Sequence, residues 1–391
     1  MSENSNLTPK IRFKGFTDAW EQRKLGDIYK FQYGEFNNNP SNGGKYPVYG
    51  ANGIIGGYTN YNTESSVIIG HMGEYAGSVL WGEGKHFVTY NGAISKPKSD
   101  LINNKFGYYM LFHKDINKIC GGSGLPFLSY EQLNKIDVSY PKDKKEQIAI
   151  SNYLTNIDNL ITLHQRKYDK LMKIKSSLLE KMFPKNSSNI PEVRFKGFTD
   201  AWEQRKVTDI GKISIGLVTT MTSHYKNSGT LLIRNSDIKD NHFEFDEQPI
   251  YLDDEFANKN NNRKHNIGDV ITVHTGDVGT SAVIEENTDK SIGFATIITR
   301  PNQQIINSYY LSTFLNTEKH KNWAIAISTG DGRTNYNLGD YQKLYMPLTK
   351  LEEQKKIADF VSNLDNLITL HQRKLDKLQN IKKSLLEKMF V

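Results

Sequence analysis

The chain is written twice. Residues Arg12–Lys24 (RFKGFTDAWEQRK) recur letter for letter at Arg194–Lys206, and Asn156–Phe183 recurs at Asn363–Phe390 with 23 of 28 positions identical. The offsets are 182 and 207 residues, so the intervening stretches, roughly 25–140 and 207–347, differ in length by 25 residues. They share no evident similarity. Such a layout folds as two like halves, because each constant block must meet the same surroundings in both copies. The constant blocks then face one kind of surface twice, or each other, in the same way, while the variable stretches do different jobs of one type. With 391 residues, each half can bury its own core. Pro184–Val193 (PKNSSNIPEV) links the halves, and its two prolines and turn formers stop a helix from crossing it.

The second constant block carries a heptad. One apolar series runs Ile150, Ile157, His164, Leu171, Leu178, the other Leu154, Ile161, Tyr168, Lys175, Met182. The second copy gives Ile357, Leu364, His371, Leu378, Leu385 and Val361, Ile368, Leu375, Lys382, Met389. Spacings of 3 and 4 without glycine or proline predict two helices of about 40 residues, or ~60 Å. Neither can bury its stripe alone, so they pack on each other as an antiparallel coiled coil. His164 and His371 lie near the helix midpoints, where antiparallel pairing makes them neighbours. They are either a polar pair that fixes register or two histidines at the seam edge.

Charge is concentrated on these helices. The chain has 50 basic and 43 acidic residues, a net +7 that tilts toward a polyanionic partner. Residues 142–185 and 350–391 together carry +8, leaving the rest near neutral. The helix lysines therefore suit a solvated face as well as a binding one. One cysteine, Cys120, excludes a disulfide framework and any multi-cysteine zinc site, and no metal site is expected. The N-terminal residues lack the apolar run of a signal peptide, and no stretch suits a membrane span, so a cytoplasmic protein is expected.

The variable stretches hold short β-prone runs punctuated by glycine: residues 46–61, 65–70, 77–82 and 86–95 in the first, 230–238, 269–284 and 293–301 in the second. Helical stretches follow near 103–118 and 307–322, predicting two α+β domains. Neither stretch contains a phosphate-binding G-x-x-x-x-G-K-[ST] loop, a G-x-G-x-x-G, an H-E-x-x-H or a G-x-S-x-G. The Asn/Asp-Pro-Pro-aromatic tetrapeptide of amino-methyltransferases is also missing.

Two variable domains, each followed by a long helix with an EQ-x-x-I lead-in and a D-x-x-I core, resemble the specificity subunit of type I restriction-modification enzymes. The lead-ins are Glu146-Gln147-Ile148-Ala149-Ile150 and Glu353-Gln354-Lys355-Lys356-Ile357. The cores are Ile157-Asp158-Asn159-Leu160-Ile161 and Leu364-Asp365-Asn366-Leu367-Ile368. YPVYGANGIIG (46–56), GSGLPFLS (122–129) and TLLIRNSDI (230–238) also resemble that family's target-recognition domains. The resemblance covers essentially the whole chain. It implies an α+β fold of two target-recognition domains in a pseudo-twofold tandem repeat. The first domain takes residues 1–142 (repeat block 12–24) and its helix 143–183. After the linker 184–193 come the second domain, 194–349 (repeat block 194–206), and its helix, 350–391.

The implied function is non-catalytic: each domain reads one half of a bipartite, asymmetric site in double-stranded DNA, and the helix pair sets the gap. Two modification subunits dock on the constant regions, and two restriction subunits complete the complex. S-adenosylmethionine, ATP and magnesium then belong to those partners, and this chain binds no cofactor. A ~60 Å helix matches ~17 base pairs, an upper bound on the span between domains. Base edges are read by Arg, Lys, Asn, Gln and hydroxyls, and phosphates by those and tyrosine. On residue type the candidates are Tyr46, Tyr49, Asn52, His71, Tyr75, Asn91 and Ser123 in the first domain, and Lys226, Arg234, Asn235, His274, Thr275, Arg333 and Asn335 in the second. The block RFKGFTDAWEQRK reads first as a structural clasp anchored by Phe13, Phe16 and Trp20 (and Phe195, Phe198 and Trp202), ahead of DNA contact, with docking of the modification subunit as a second possibility. The rival readings are a two-headed scaffold binding protein or glycan, and a fused methyltransferase or nuclease with unrecognised motifs.

Overall fold

In the computed structural model, residues 7–37, 39–41, 43–120, 126–185, 188–328 and 335–391 are described. They fall into two units: residues 1–166 with 372–391, and residues 167–371. Each unit thus owns one variable domain and the closing segment of a long helix that starts elsewhere in the sequence.

The first unit is built on six strands in the order Tyr29–Tyr33, Gly92–Pro97, Thr63–Gly70, Val79–Val88, Tyr46–Gly50, Gly53–Tyr58. All neighbours are antiparallel except Tyr46–Gly50, which runs parallel to Val79–Val88 through Val48 and Phe87. The alternating pattern of Tyr29–Tyr33 puts Tyr29 and Phe31 inside and Lys30 and Gln32 outside. Helix Asn104–His113 packs beside this sheet and is capped by Asn103, whose side chain accepts from the Phe106 N–H. The core gathers Trp20, Leu25, Tyr29, Val67, Ile69, Phe106, Tyr109 and Leu133 with Ile150, Leu154, Leu386, Met389 and Phe390.

The second unit repeats the plan with shorter strands. One sheet runs Gly211–Ile215, Ile297–Pro301, Val270–Thr272, Ser281–Val283, and a second runs Tyr225–Lys226, Tyr251–Leu252, Thr230–Ile233, Ile292–Gly293. Thr230–Ile233 and Ile292–Gly293 are parallel through Leu232 and Ile292. Helix Ser308–Leu315 is capped by Asn307 onto the Tyr310 N–H. Its main core joins Trp202, Val207, Val270, Ile297, Tyr310, Phe314, Tyr336 and Tyr341 to Leu179, Met182, Phe183, Ile357, Ala358 and Val361.

The stretches without sequence similarity therefore share a topology, and single backbone bonds repeat with it. Gly34 N–H bonds the Gly92 carbonyl as Gly216 N–H bonds Thr296; Tyr90 bonds Glu35 as Ala295 bonds Leu217; Thr89 bonds Tyr49 as Phe294 bonds Ile233. What the two domains keep is carried by backbone and burial, which leave little trace in side-chain identity.

Lys144–Met182 and Leu351–Met389 are helices of 39 residues each. Every position of the expected heptad series is buried or half-buried, so the coiled-coil reading holds. Within each unit the two helix segments run antiparallel. In the first, Ile150 and Leu154 share a cluster with Leu386, Met389 and Phe390, and Lys382 Nζ meets Asp158 Oδ1 at 2.7 Å. In the second, Ile357 and Val361 share a cluster with Leu179, Met182 and Phe183, and Lys175 Nζ meets Asp365 Oδ1 at 2.6 Å. The lysines that break the apolar series thus neutralise the aspartates of the D-x-x-I cores. His164 and His371 are half-buried on their stripes. No described helix is long and apolar enough to cross a membrane.

The EQ-x-x-I lead-in and the thirteen-residue block form one clasp, made twice. Arg12 Nε and Nη2 hold both carboxylate oxygens of Glu146 at 2.6 and 2.8 Å, and Arg194 holds Glu353 at 2.7 and 2.9 Å. Gln147 donates to the carbonyls of Leu101 and Pro141 and accepts from the Asn103 N–H; Gln354 does the same with Ile305, Thr349 and Asn307. Trp20 stands edge-on to Phe106 and Phe390, as Trp202 stands edge-on to Phe183 and Tyr310. The Ile11 N–H bonds the Lys388 carbonyl in the first unit, and the Val193 N–H bonds Lys181 in the second. The structural-clasp reading of the block accounts for these contacts.

Candidate nucleic-acid interface

At one end of the first unit's sheet, strand Thr63–Gly70 turns back into Val79–Val88 through a hairpin, His71–Gly77. Gly70 and Ser78 close it, the Gly70 N–H bonding the Ser78 carbonyl at 2.9 Å and Gly77 N–H returning to Gly70 at 2.7 Å. Gly73 and Gly77 sit at φ +82° and +84°, a region that favours glycine. At Gly77 a Cβ would also fall 2.5 Å from the Cα of Asn117. The hairpin is pinned by His71, which is buried: its ring stacks on Tyr33 at 4.1 Å and its Nε2 bonds the Tyr90 carbonyl. Burial holds the imidazole below the usual histidine range, so it is neutral at neutral pH and its Nε2 bears the proton that the carbonyl accepts. The hairpin tip is open to solvent, with Tyr75 42 % exposed; the exposed ring of Phe127 stands edge-on to His71, and the exposed ring of Phe36 lies beside Tyr90.

This end collects several of the expected residues. His71, Tyr75 and Asn91 lie together, Asn91 accepting the His71 N–H at its carbonyl. Asn52 is exposed on the neighbouring turn, whose Ala51 carbonyl accepts from Ser78 Oγ. Tyr46 stands apart, with Tyr61 at 5.1 Å and Lys45 over its ring. Tyr49 is buried against His86 in a cluster with Ile68, Val88 and Ile94, on the half of its strand where successive residues are all buried. Ser123 lies outside the described residues.

In the second unit the matching hairpin is His274–Gly279. Val273 N–H bonds the Thr280 carbonyl, Gly279 N–H returns to Val273, and Gly276 and Gly279 sit at φ +100° and +88°. The crossing segment is shared as well: Leu128 N–H bonds the His71 carbonyl, and Tyr336 N–H bonds the His274 carbonyl, both at 2.8 Å. Asn235, His274, Thr275 and Asn335 form one cluster. Asn235 Oδ1 accepts the His274 N–H at 2.9 Å, Thr275 Oγ1 contacts His274 Nδ1 at 2.7 Å and donates to Asn335 Oδ1 at 3.0 Å. Burial again lowers the His274 pKa. Arg234 adjoins the cluster, but its guanidinium is held by Asp237 and Asp246 at 2.6 and 2.9 Å, which fixes it in place and neutralises it. Lys226 is exposed on a strand paired to Tyr251 and, among the described residues, shares no hydrogen bond or ion pair with that cluster. Arg333 lies outside the described residues.

Residue type alone passed over Phe36, Tyr90 and Phe127 and, in the second unit, Val218 and Phe294, whose large side chains are all exposed. Among the described residues, no group of three or more His, Cys, Asp or Glu is placed to hold a metal.

Two segments, 17–173 and 199–380, match the family model for the type I restriction modification DNA specificity domain. The chain is 20 % identical to the type I restriction enzyme MjaVIII specificity subunit of Methanocaldococcus jannaschii, over 94 % of this chain and 91 % of that one. It is 25 % identical to the EcoBI specificity subunit of Escherichia coli over 126 residues. It spans less than a third of the length of that protein and of another curated relative it matches. Among solved structures, the S subunit of the type I restriction-modification system of M. genitalium aligns over 98 % of this chain and 99 % of that one. The TM-score is 0.67 at 17 % identity, a likeness of fold.

Proposed function

Because the chain belongs to the type I restriction-modification DNA specificity family, we propose that its two units each read one half of a bipartite, asymmetric site in double-stranded DNA. The observation that carries this reading is the hairpin end built twice, on matching backbone bonds but with different side chains. Matching scaffolds dock on DNA in matching ways, and different side chains then read different base pairs. The paired helices set the unread gap, with His164 and His371 as register positions.

The chain supplies recognition and leaves catalysis to its partners, two modification and two restriction subunits. A sequence without a phosphate-binding loop or a methyltransferase tetrapeptide supports this division. S-adenosylmethionine, ATP and magnesium are then held by those subunits, and the assembly works in the cytoplasm.

Co-expression with the modification subunit, followed by sequencing of methylated adenines in host DNA, tests the reading. The expected result is a single two-part motif, methylated on both strands and lost without this chain. Replacing residues 207–347 with another such segment should change one half of the motif only. Methyl transfer by the chain alone would overturn the non-catalytic assignment, and assembly without any motif would overturn DNA reading.

A further inference from the structure

The two hairpins differ in length by one residue. Between matching closing bonds the first has His71-Met72-Gly73-Glu74-Tyr75-Ala76, the second His274-Thr275-Gly276-Asp277-Val278. Four features survive that difference: the pinning histidine, the left-handed glycine two residues on, the closing glycine, and an exposed carboxylate directly after the first glycine. The first three have structural reasons already given. The fourth has one only in part. Among the described residues, exposed Glu74 makes no hydrogen bond or ion pair, and the exposed Asp277 carboxylate takes a single one, from the buried Thr280 Oγ1 at 3.0 Å.

A carboxylate at the tip of a DNA-facing hairpin is repelled by phosphates unless a base offers it a proton. The major groove admits a two-stranded β-ribbon. There, cytosine N4 and adenine N6 present amino donors, and acidic side chains accept from such donors. Exposed aromatic groups adjoin both hairpins: Phe127 and Tyr90 beside His71 in one unit, and in the other Phe294, whose carbonyl accepts from the Asn235 amide that holds His274. Such groups suit base edges and thymine methyls better than phosphates.

We propose that hairpins His71–Gly77 and His274–Gly279 are the base-reading elements of the two units, and that Glu74 and Asp277 each accept a hydrogen bond from an exocyclic amino group in the major groove. The assignment rests on the DNA-specificity reading above. His71 and His274 act as positioning residues, holding the hairpins rather than touching bases.

The test is selection of bound duplexes from a randomised pool by the chain assembled with its modification subunits, for wild type, Glu74→Gln and Asp277→Asn. Wild type should return two fixed blocks separated by unread positions. Glu74→Gln should weaken the preference at one base pair in one block about 10- to 100-fold, with adenine gaining over cytosine where cytosine was read. Asp277→Asn should do the same in the other block only. Variants that return the wild-type motif, or that blur both blocks while the complex still assembles, overturn the assignment. A wild-type complex that assembles but selects no motif overturns the underlying reading instead. A variant that fails to assemble is replaced by Glu74→Ala or Asp277→Ser and judged by the same two outcomes.

Discussion

Arg12 shows how a residue that looks like a nucleic-acid contact becomes a structural one. Its side chain is 11 % exposed and Glu146 beneath it 1 %, so removing the guanidinium leaves a carboxylate buried without its partner. Arg12→Ala should cost about 3–5 kcal/mol of stability, and Arg194→Ala as much in the second unit. Lysine should restore only part, since one ammonium cannot match a two-pronged grip. Denaturant titration checks both; a loss below about 1 kcal/mol would mean the pair is not the clasp. Buried histidines give a second signature. Desolvation pushes His265 and His320 down to about 4, so both are neutral in the folded chain and readily protonated once unfolded. Between pH 6.5 and about 4 the unfolded state binds more protons, so their stabilisation is complete above 6.5 and drains as pH falls. The wild-type melting temperature should therefore drop more steeply over that window than that of the His265→Gln/His320→Gln double variant. Parallel curves would show that neither histidine is linked to folding. Both predictions concern groups whose burial no sequence pattern announced.

At the level of elements, the long helices were legible because a 3.5-residue period survives any partner, and every heptad position is buried or half-buried. The meaning of Lys175 and Lys382 was not, since an ion pair across helices needs the register. The variable domains were legible only as strands and glycine turns. Their kinship rests on backbone bonds and positive φ angles, which His-x-Gly-acid hairpins of unequal length do not reveal by alignment. Leu160 and Leu163 are 45 and 46 % exposed, and their copies Leu367 and Leu370 are 46 and 45 % exposed. Apolar side chains kept identical on an outer face in both copies suit one partner met twice, and the proposed modification subunits are that partner. Leu160→Glu/Leu163→Glu should reduce co-purification of the modification subunit to about one per chain, and adding Leu367→Glu/Leu370→Glu should abolish it, with the helical signal intact. Full binding by the quadruple variant would move the docking face elsewhere.

For the whole molecule, the consequence lies in where each unit obtains its last core residues. The first unit closes on Leu385, Leu386, Met389 and Phe390, which pack with Trp20, Phe106 and Leu154. The identical residues Leu178, Leu179, Met182 and Phe183 pack with Trp202 and Tyr310 in the second. A shortened chain of residues 1–183 keeps the first domain and loses its closing segment, but it carries an identical set of those four side chains on its own helix end. Lys175, the copy of Lys382, is also there to meet Asp158. That helix end belongs to the same continuous helix as Leu154 and cannot turn back on it to reach Trp20, so a second copy must supply it. Residues 1–183 should therefore be a dimer in which each copy caps the other, with a mass near twice the chain's by light scattering. With both domains then identical, the selected DNA should change from two unlike blocks to two identical, inverted ones. Phe183→Asp in this shortened chain removes the ring corresponding to Phe390, at a cost of at least about 3–5 kcal/mol per cap, and should leave an unfolded monomer. A folded monomer of residues 1–183 would show that the borrowed helix end is dispensable, and an asymmetric motif from the dimer would separate the cap from the reading of DNA.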